Sequence, residues 1–264
     1  MTDQPIFIFS AGWRSGSTML QRLITGTQAA LIWGEAGGAL DRLADTHACY
    51  EQMLGPGGQR FKHGFGGNGA KEYEAFTAAG KDGFNKWIAC MNPPAGVFRN
   101  AFHSFFDSVY ARPAAELGYA RWGIKEVQSG IEAARFLHQL YPAAHFIFLV
   151  RHPYDCLTSI KRRDWLDRPG DPQALEYYAR HWARLAGEFR AADFGQLVKY
   201  EDLVSDTQAQ ERLGRHIGVA DLSGQFTQVN RADWQSHHDQ GLGFMERRRL
   251  SRIVDAEMRR YGYE

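Results

Sequence analysis

Two wholly apolar runs punctuate the chain, and each stops at a polar turn followed by helical periodicity. Ile6 to Ala11 enters Gly12-Trp13-Arg14-Ser15-Gly16-Ser17-Thr18, after which Met19, Leu20, Leu23 and Ile24 recur with helical spacing. An apolar strand, a Gly/Ser turn and an amphipathic helix open a βα unit whose strand is buried and parallel. His145-Phe146-Ile147-Phe148-Leu149-Val150 repeats the pattern and enters Arg151-His152-Pro153, where the proline favours a helix start. Shorter strands are predicted at Leu31-Ile32-Trp33, ending at Gly34-Glu35, at Arg121 to Lys125, and at Leu197 to Tyr200. Helical patterns begin at Leu40, Leu43 and Ala44, and run from Ile131 to Leu140, from Ala174 to Phe194 and from Phe244 to Tyr261. Ser205 and Gln208 stand at capping-box spacing before a helix reaching Ile217. Phe98, Phe102, Phe105, Phe106 and Val109 form the i, i+4, i+7, i+8, i+11 stripe of a core-facing helix. This order of elements predicts a three-layer α/β/α domain with a central, mostly parallel sheet, like that of the P-loop nucleotide hydrolases.

Composition narrows the function. The 264 residues carry 31 basic and 30 acidic side chains, for a formal charge of +1, so nothing points to nucleic acid or a membrane surface as a general partner. Cys49, Cys90 and Cys156 are few and scattered, which suits a reducing compartment and neither a disulfide framework nor a zinc site. His237-His238-Asp239 lacks a third ligand at motif spacing and reads as a surface loop, so no metal is expected. No run approaches the ~18 apolar residues of a membrane span. The polar start from Met1 to Pro5 is unlike a signal peptide, and a cytoplasmic protein is expected. With no repeats and no linker, residues 1–264 read as one domain. Its irregular stretch, 35–122, includes a loop from Gly55 to Gly69 with seven glycines and with Phe61 and Phe65. Such long loops serve as lids or binding segments or are disordered.

Both strand–helix junctions are suited to anions. At the first, backbone N–H groups and the positive helix end face one point, and Gly12 and Gly16 let the chain curl around it. Arg14 adds a cation there, and Ser17 and Thr18 add hydroxyls. The ATPase P-loop has one more residue between its glycines and a lysine after the second; neither is present here. At the second junction Arg151 ends a strand and Ser159 follows two helical turns later, so the two can grip one phosphate from two sides. A ligand with two separated anionic groups would lie along the carboxyl edge of the sheet.

These motifs resemble the sulfotransferases that use PAPS (3′-phosphoadenosine 5′-phosphosulfate). The family's 5′-phosphosulfate loop is matched by Ala11 to Leu20 and its 3′-phosphate motif by Phe148 to Ser159; Tyr200-Glu201-Asp202-Leu203 matches the segment that closes on the adenine. The resemblance implies that Arg14, Ser15, Gly16, Ser17 and Thr18 hold the 5′-phosphosulfate, Arg151 and Ser159 the 3′-phosphate, and Tyr200 the adenine. Arginine at position 14 is similar to the carbohydrate- and tyrosyl-protein-directed branches, whereas many cytosolic members have lysine. Trp13 replaces the usual proline, and the family's C-terminal Arg-Lys-Gly loop is not evident. Arg247, Arg248 or Arg249 could take its place or simply line a solvated helix face.

The implied reaction passes the sulfuryl group of PAPS in line to a hydroxyl or amine and needs no metal. Arg14 would stabilise the leaving charge. Glu35 matches the segment where arginine-type branches place a catalytic glutamate, so it is the expected general base, with a helix-terminal electrostatic role as the alternative. His47 and His63 are other candidates for the base, and Lys125 is a candidate contact to the sulfonate or acceptor. Asp155 is expected to cap its helix. A soluble small-molecule or glycan acceptor is expected, recognised by residues 35–122. The competing readings are a P-loop kinase or nucleotide hydrolase and a non-catalytic binder of nucleotide bisphosphates.

Overall fold

In the computed structural model, which describes residues 4–54, 77–80, 92–162, 172–220, 222–228 and 241–263, the first apolar run becomes the middle strand of a sheet. Strand β1 (Ile6–Ser10) is buried along its whole length. It pairs in parallel with β3 (Trp122–Glu126) on one side and β4 (His145–Val150) on the other, and β2 (Leu31–Trp33) and β5 (Gln196–Lys199) complete the order β2-β3-β1-β4-β5. All five strands therefore end at one edge. Registers Ile8↔Lys125, Phe9↔Glu126 and Ser10↔Leu149 bring the β1, β3 and β4 ends level there.

Both faces of the sheet are covered, which explains why the strands are apolar throughout and do not alternate. Ile6, Ile8, Ile147 and Leu149 pack against α1 (Ser17–Gly26), α8 (Tyr200–Ser205), α9 (Thr207–Ile217) and α10 (Leu222–Gln228). Phe7, Phe9, Phe146 and Phe148 face the other layer. That layer holds α2 (Ala39–Leu54), α3 (Ala95–Phe106), α4 (Arg112–Glu116), α5 (Ile131–Leu140), α6 (Pro153–Arg162), α7 (Pro172–Arg190) and α11 (Phe244–Arg260). Each fully buried phenylalanine contributes about 1.5–3 kcal/mol by leaving water. No described helix is long and apolar enough to cross a membrane.

The structure departs from the sequence reading at several places. A π-helical segment, Asp107–Ala111, follows α3 and shifts the helical phase. Phe106 stays buried and Tyr110 stacks on Trp122 at 5.9 Å, while Phe105 and Val109 of the expected core stripe are exposed. The capping box is replaced: Asp206 accepts from the Gln208 N–H at 2.8 Å, and Ser205 Oγ donates to Glu201 O inside the preceding helix. Helix α7 ends at Arg190, four residues before Phe194, whose ring stacks on His138 at 4.6 Å. The glycine loop from Gly55 to Gly69, with Phe61, Phe65 and His63, lies outside the described residues, as do Phe84, Cys90 and His237-His238-Asp239.

Candidate active site

The loop after β1 curls through three left-handed residues, Gly12 (φ 80°), Arg14 (φ 63°) and Gly16 (φ 92°). Alternation of this kind turns successive N–H groups to one side and makes a concave anion seat. Ser15 braces the curl from within: its hydroxyl donates to Gly12 O at 2.9 Å and meets the Ser10 hydroxyl. What Ser15 can offer a ligand is its backbone N–H. Ser17 is buried, and Thr18 is exposed at the start of α1. A Cβ at Gly16 would lie 2.5 Å from Tyr200 Cε2, so only glycine lets the Tyr200 ring close over this loop.

The second junction comes to the same place. Arg14 Nε donates to Ser159 Oγ at 3.0 Å, joining residues 145 positions apart. Arg151 donates to Arg14 O at 3.2 Å, and its guanidinium sits 4.4 Å from the centre of the Tyr200 ring. Asp155 lies in the first turn of α6 and faces Arg151 at 3.6 Å. Arg151 Nε and Thr158 Oγ1, one residue before Ser159, are buried without a hydrogen-bond partner among the described residues. Unsatisfied buried polar atoms are costly, and the Arg151 guanidinium already borders the Arg14 loop, where an anion could satisfy it. The tight Gly16 cradle, two arginines and orphaned polar atoms therefore fit a nucleotide carrying two anionic groups.

The β4 junction is held from behind by a carboxylate. Glu201, next to Tyr200, accepts from the His152 N–H at 2.9 Å with one oxygen and from the Tyr263 hydroxyl at 2.7 Å with the other. One side chain thus ties the residue after Arg151 to the residue after Tyr200. Tyr263 is buried, stands over the Lys199 ammonium at 4.5 Å, and has its hydroxyl held well above the usual phenol range by burial and by Glu201. Periodicity gave no hint of this link, because its partners are 62 positions apart.

Across β1, the ends of β2 and β3 carry carboxylates. Lys125 is buried and paired directly with Glu35, which is about one-third exposed. Glu126, overlooked by the motif reading, is fully buried. Its oxygens accept from the N–H groups of Ala36 (3.1 Å), Val127 (2.9 Å) and Gln128 (3.2 Å), which fixes the loop that carries Glu35. Burial still pushes the Glu126 carboxyl above its usual range. His47 packs in the helical layer between Phe102 and Phe136, and burial lowers its proton affinity. Among the C-terminal arginines, Arg247 lies over Tyr154 at 5.3 Å and Arg248 is exposed. Cys49 is exposed; Cys156 is buried, and its thiol is pushed up to about 12.

The loop beside Trp13 brings in α7. The Trp13 ring lies 4.7 Å from His181, edge-on to Tyr178 at 5.1 Å, and 6.4 Å from Tyr177. His181 Nε2 bonds Val127 O at 3.0 Å, and Trp182 Nε1 donates to Arg151 O at 3.0 Å. Helix α7 therefore spans the ends of β3 and β4.

Known proteins place this arrangement. No curated protein matches the chain. Among solved structures, the sulfotransferase domain from the Synechococcus PCC 7002 olefin synthase is 22% identical, covering 99% of this chain and 95% of that one with a TM-score of 0.52. The sulfotransferase domain from the curacin biosynthetic pathway is 16% identical, with 99% and 98% covered and a TM-score of 0.49. A mouse sulfotransferase complexed with PAP is 11% identical, with 98% and 86% covered and a TM-score of 0.48. The sequence profile described as the sulfotransferase family matches residues 5–222, which takes in all five strands and both anion-ready junctions. The chain belongs to the sulfotransferase family.

Proposed function

We propose that the protein transfers the sulfuryl group of PAPS to a hydroxyl or amine of a soluble small-molecule or glycan acceptor, releasing adenosine 3′,5′-bisphosphate. The observation that carries this reading is the convergence of Arg14, Arg151, Ser159 and Tyr200, from three strand ends, on one seat for a doubly anionic nucleotide. Residues 1–264 are taken as one sulfotransferase domain, and the cytoplasm as its location.

Arg14 and the loop amides hold the 5′-phosphosulfate and stabilise charge on the departing oxygen, from donors already oriented. Ser17 and Thr18 stand at the positive end of α1. Arg151 and Ser159 grip the 3′-phosphate, and Tyr200 faces the adenine. Holding both ends of the donor aligns the transferable group for in-line attack. Glu35 takes the proton from the acceptor, and Lys125 beside it orients the carboxylate and meets the sulfonate. The activated donor supplies the driving force, and no residue here needs a metal to act.

The test is calorimetric titration with adenosine 3′,5′-bisphosphate, alongside ADP with Mg²⁺. Tight, metal-independent binding of the bisphosphate alone is expected, followed by turnover of PAPS with an acceptor. Preference for Mg·ADP would overturn this reading in favour of a kinase. Binding without any turnover would leave a nucleotide-bisphosphate binder.

A further inference from the structure

We infer that Tyr261 and Tyr263, in the turn that ends α11, are positioning residues for the donor nucleotide. They brace Trp182 and Glu201, the two side chains that pin the peptide group joining Arg151 to His152. This rests on the donor reading above and adds to it residues that act on the 3′-phosphate only through Arg151.

The pins come first. The β4 ladder ends at Val150, which pairs with Lys199. The next peptide group, from Arg151 C=O to His152 N–H, must find partners elsewhere. Trp182 Nε1 donates to Arg151 O at 3.0 Å from α7, and Glu201 accepts from the His152 N–H at 2.9 Å from α8. Both polar atoms of one peptide group are thus held by side chains from different helices, and the charged acceptor makes the second bond the stronger. From this fixed point the Arg151 guanidinium extends to Arg14 O (3.2 Å), Asp155 (3.6 Å) and the Tyr200 ring (4.4 Å). A shift of the peptide group carries the guanidinium with it, and grip on an anion depends on where that guanidinium stands.

Both pins are braced from one short segment. Helix α11 closes with a left-handed Gly262 (φ 70°), whose N–H bonds Arg259 O at 3.0 Å while the Tyr263 N–H bonds Met258 O at 3.1 Å. These are the paired bonds of a Schellman turn. The tyrosines on either side of the glycine are both buried. Tyr261 donates to Ala186 O at 2.7 Å, one turn of α7 beyond Trp182. Tyr263 donates to the second Glu201 oxygen at 2.7 Å, and its ring meets His152 edge-on at 5.0 Å. Lys199 joins the two braces: it donates to Tyr261 O at 3.1 Å and lies 4.5 Å from the centre of the Tyr263 ring. Without the Tyr263 hydroxyl, one Glu201 oxygen loses its donor and the carboxylate is free to turn away from the His152 N–H.

A brace that served the fold alone would affect every nucleotide equally. A brace on Arg151 affects a nucleotide in proportion to what Arg151 holds, which on the donor reading is the 3′-phosphate. The probes are therefore adenosine 3′,5′-bisphosphate and adenosine 5′-monophosphate, which lacks that group, each titrated calorimetrically. Tyr263→Phe removes one oxygen atom and fills the same space. It should lose about three- to tenfold in bisphosphate affinity, the contribution of one hydrogen bond, and less than about twofold in monophosphate affinity. Tyr261→Phe should lose less, with the same preference. Glu201→Ala should lose more than Tyr263→Phe. Glu201→Gln, whose amide can accept from the His152 N–H and donate to the Tyr263 oxygen, should recover most of that loss. In an Arg151→Ala background, Tyr263→Phe should change bisphosphate affinity by less than about twofold. Unchanged bisphosphate affinity in Tyr263→Phe, equal losses for the two nucleotides, or an undiminished loss in the Arg151→Ala background would each overturn the inference and leave the donor reading standing. If the wild-type protein binds the bisphosphate no more tightly than the monophosphate, the donor reading falls and takes the inference with it.

Discussion

The two sides of the β1 carboxyl end turn different groups towards it. Towards β4 and β5 stand Arg14 and Arg151, with the hydroxyl of Ser159 and the ring of Tyr200. Towards β2 and β3 stand Glu35 and Glu126, with Lys125 between them. On the function proposed above, the first side holds an anion and the second removes a proton. Holding an anion asks for cations, N–H donors and a curl without side chains, and a short local motif supplies most of these. Removing a proton asks for a carboxylate in a fixed place, and that placing is done by neighbours distant in sequence.

The sharpest test of this division is Glu35→Gln. Turnover should fall about 10²- to 10⁴-fold, the usual contribution of a positioned base, while bisphosphate affinity stays within about twofold. Full turnover would move the proton-removing role to another group. Arg14→Ala and Arg151→Ala probe the other side. Each removes a charge-assisted contact of about 1.5–3 kcal/mol, so bisphosphate binding should weaken roughly 10- to 150-fold by calorimetry. Loss of turnover without loss of binding would erase the division of labour.

Smaller effects sharpen the same comparison. Gly16→Ala places a methyl group against the Tyr200 ring at a φ of 92° and should cost about 1–3 kcal/mol in urea denaturation, with weaker bisphosphate binding. An unchanged variant would show that Tyr200 moves freely. Tyr263→Phe removes one hydrogen bond to Glu201, about 1 kcal/mol, and should raise KM for PAPS a few-fold at constant kcat. Equal changes in KM for donor and acceptor would place Glu201 outside the donor half.

The pH dependence of stability is the mildest expectation. Burial lowers the proton affinities of His47, His145 and His181, so the unfolded chain binds more protons below about pH 6.5 and stability is lost as pH falls through that range. Glu126 and Asp41, raised by burial, work the other way, since the folded state takes up protons first as pH falls towards their ordinary values. A thermal melt should show a lower Tm at pH 6 than at pH 7.5. A higher Tm at pH 6 would mean that the carboxyls outweigh the histidines.

Much of the fold was legible because its signals are local. Apolar runs without alternation announced a sheet covered on both faces, and glycine, arginine and hydroxyl residues marked the two strand ends that the structure brings together. The exposed Val109 was not legible, because a π-helical segment from Asp107 to Ala111 shifts the helical phase there and leaves no mark in a 3.6-residue pattern. Phe105, exposed before that segment, lies beside the buried Phe106 on the edge of the stripe. The helix start at Asp206 escaped for a simpler reason: aspartate and serine cap equally well, and either position satisfied the pattern.

By itself, then, the sequence determined the α/β architecture, the two junctions and the candidacy of Glu35, since each depends on residues within a few positions of one another. Only the tertiary structure decided that Arg14 reaches Ser159, that Glu126 braces the Glu35 loop, that α7 brings its aromatic residues to Trp13, and that Tyr263 holds Glu201. Periodicity tells which face of an element is buried. Which residues of two elements meet depends on how the strands register and how the helices pack over them, and those follow from side-chain shapes across the whole core.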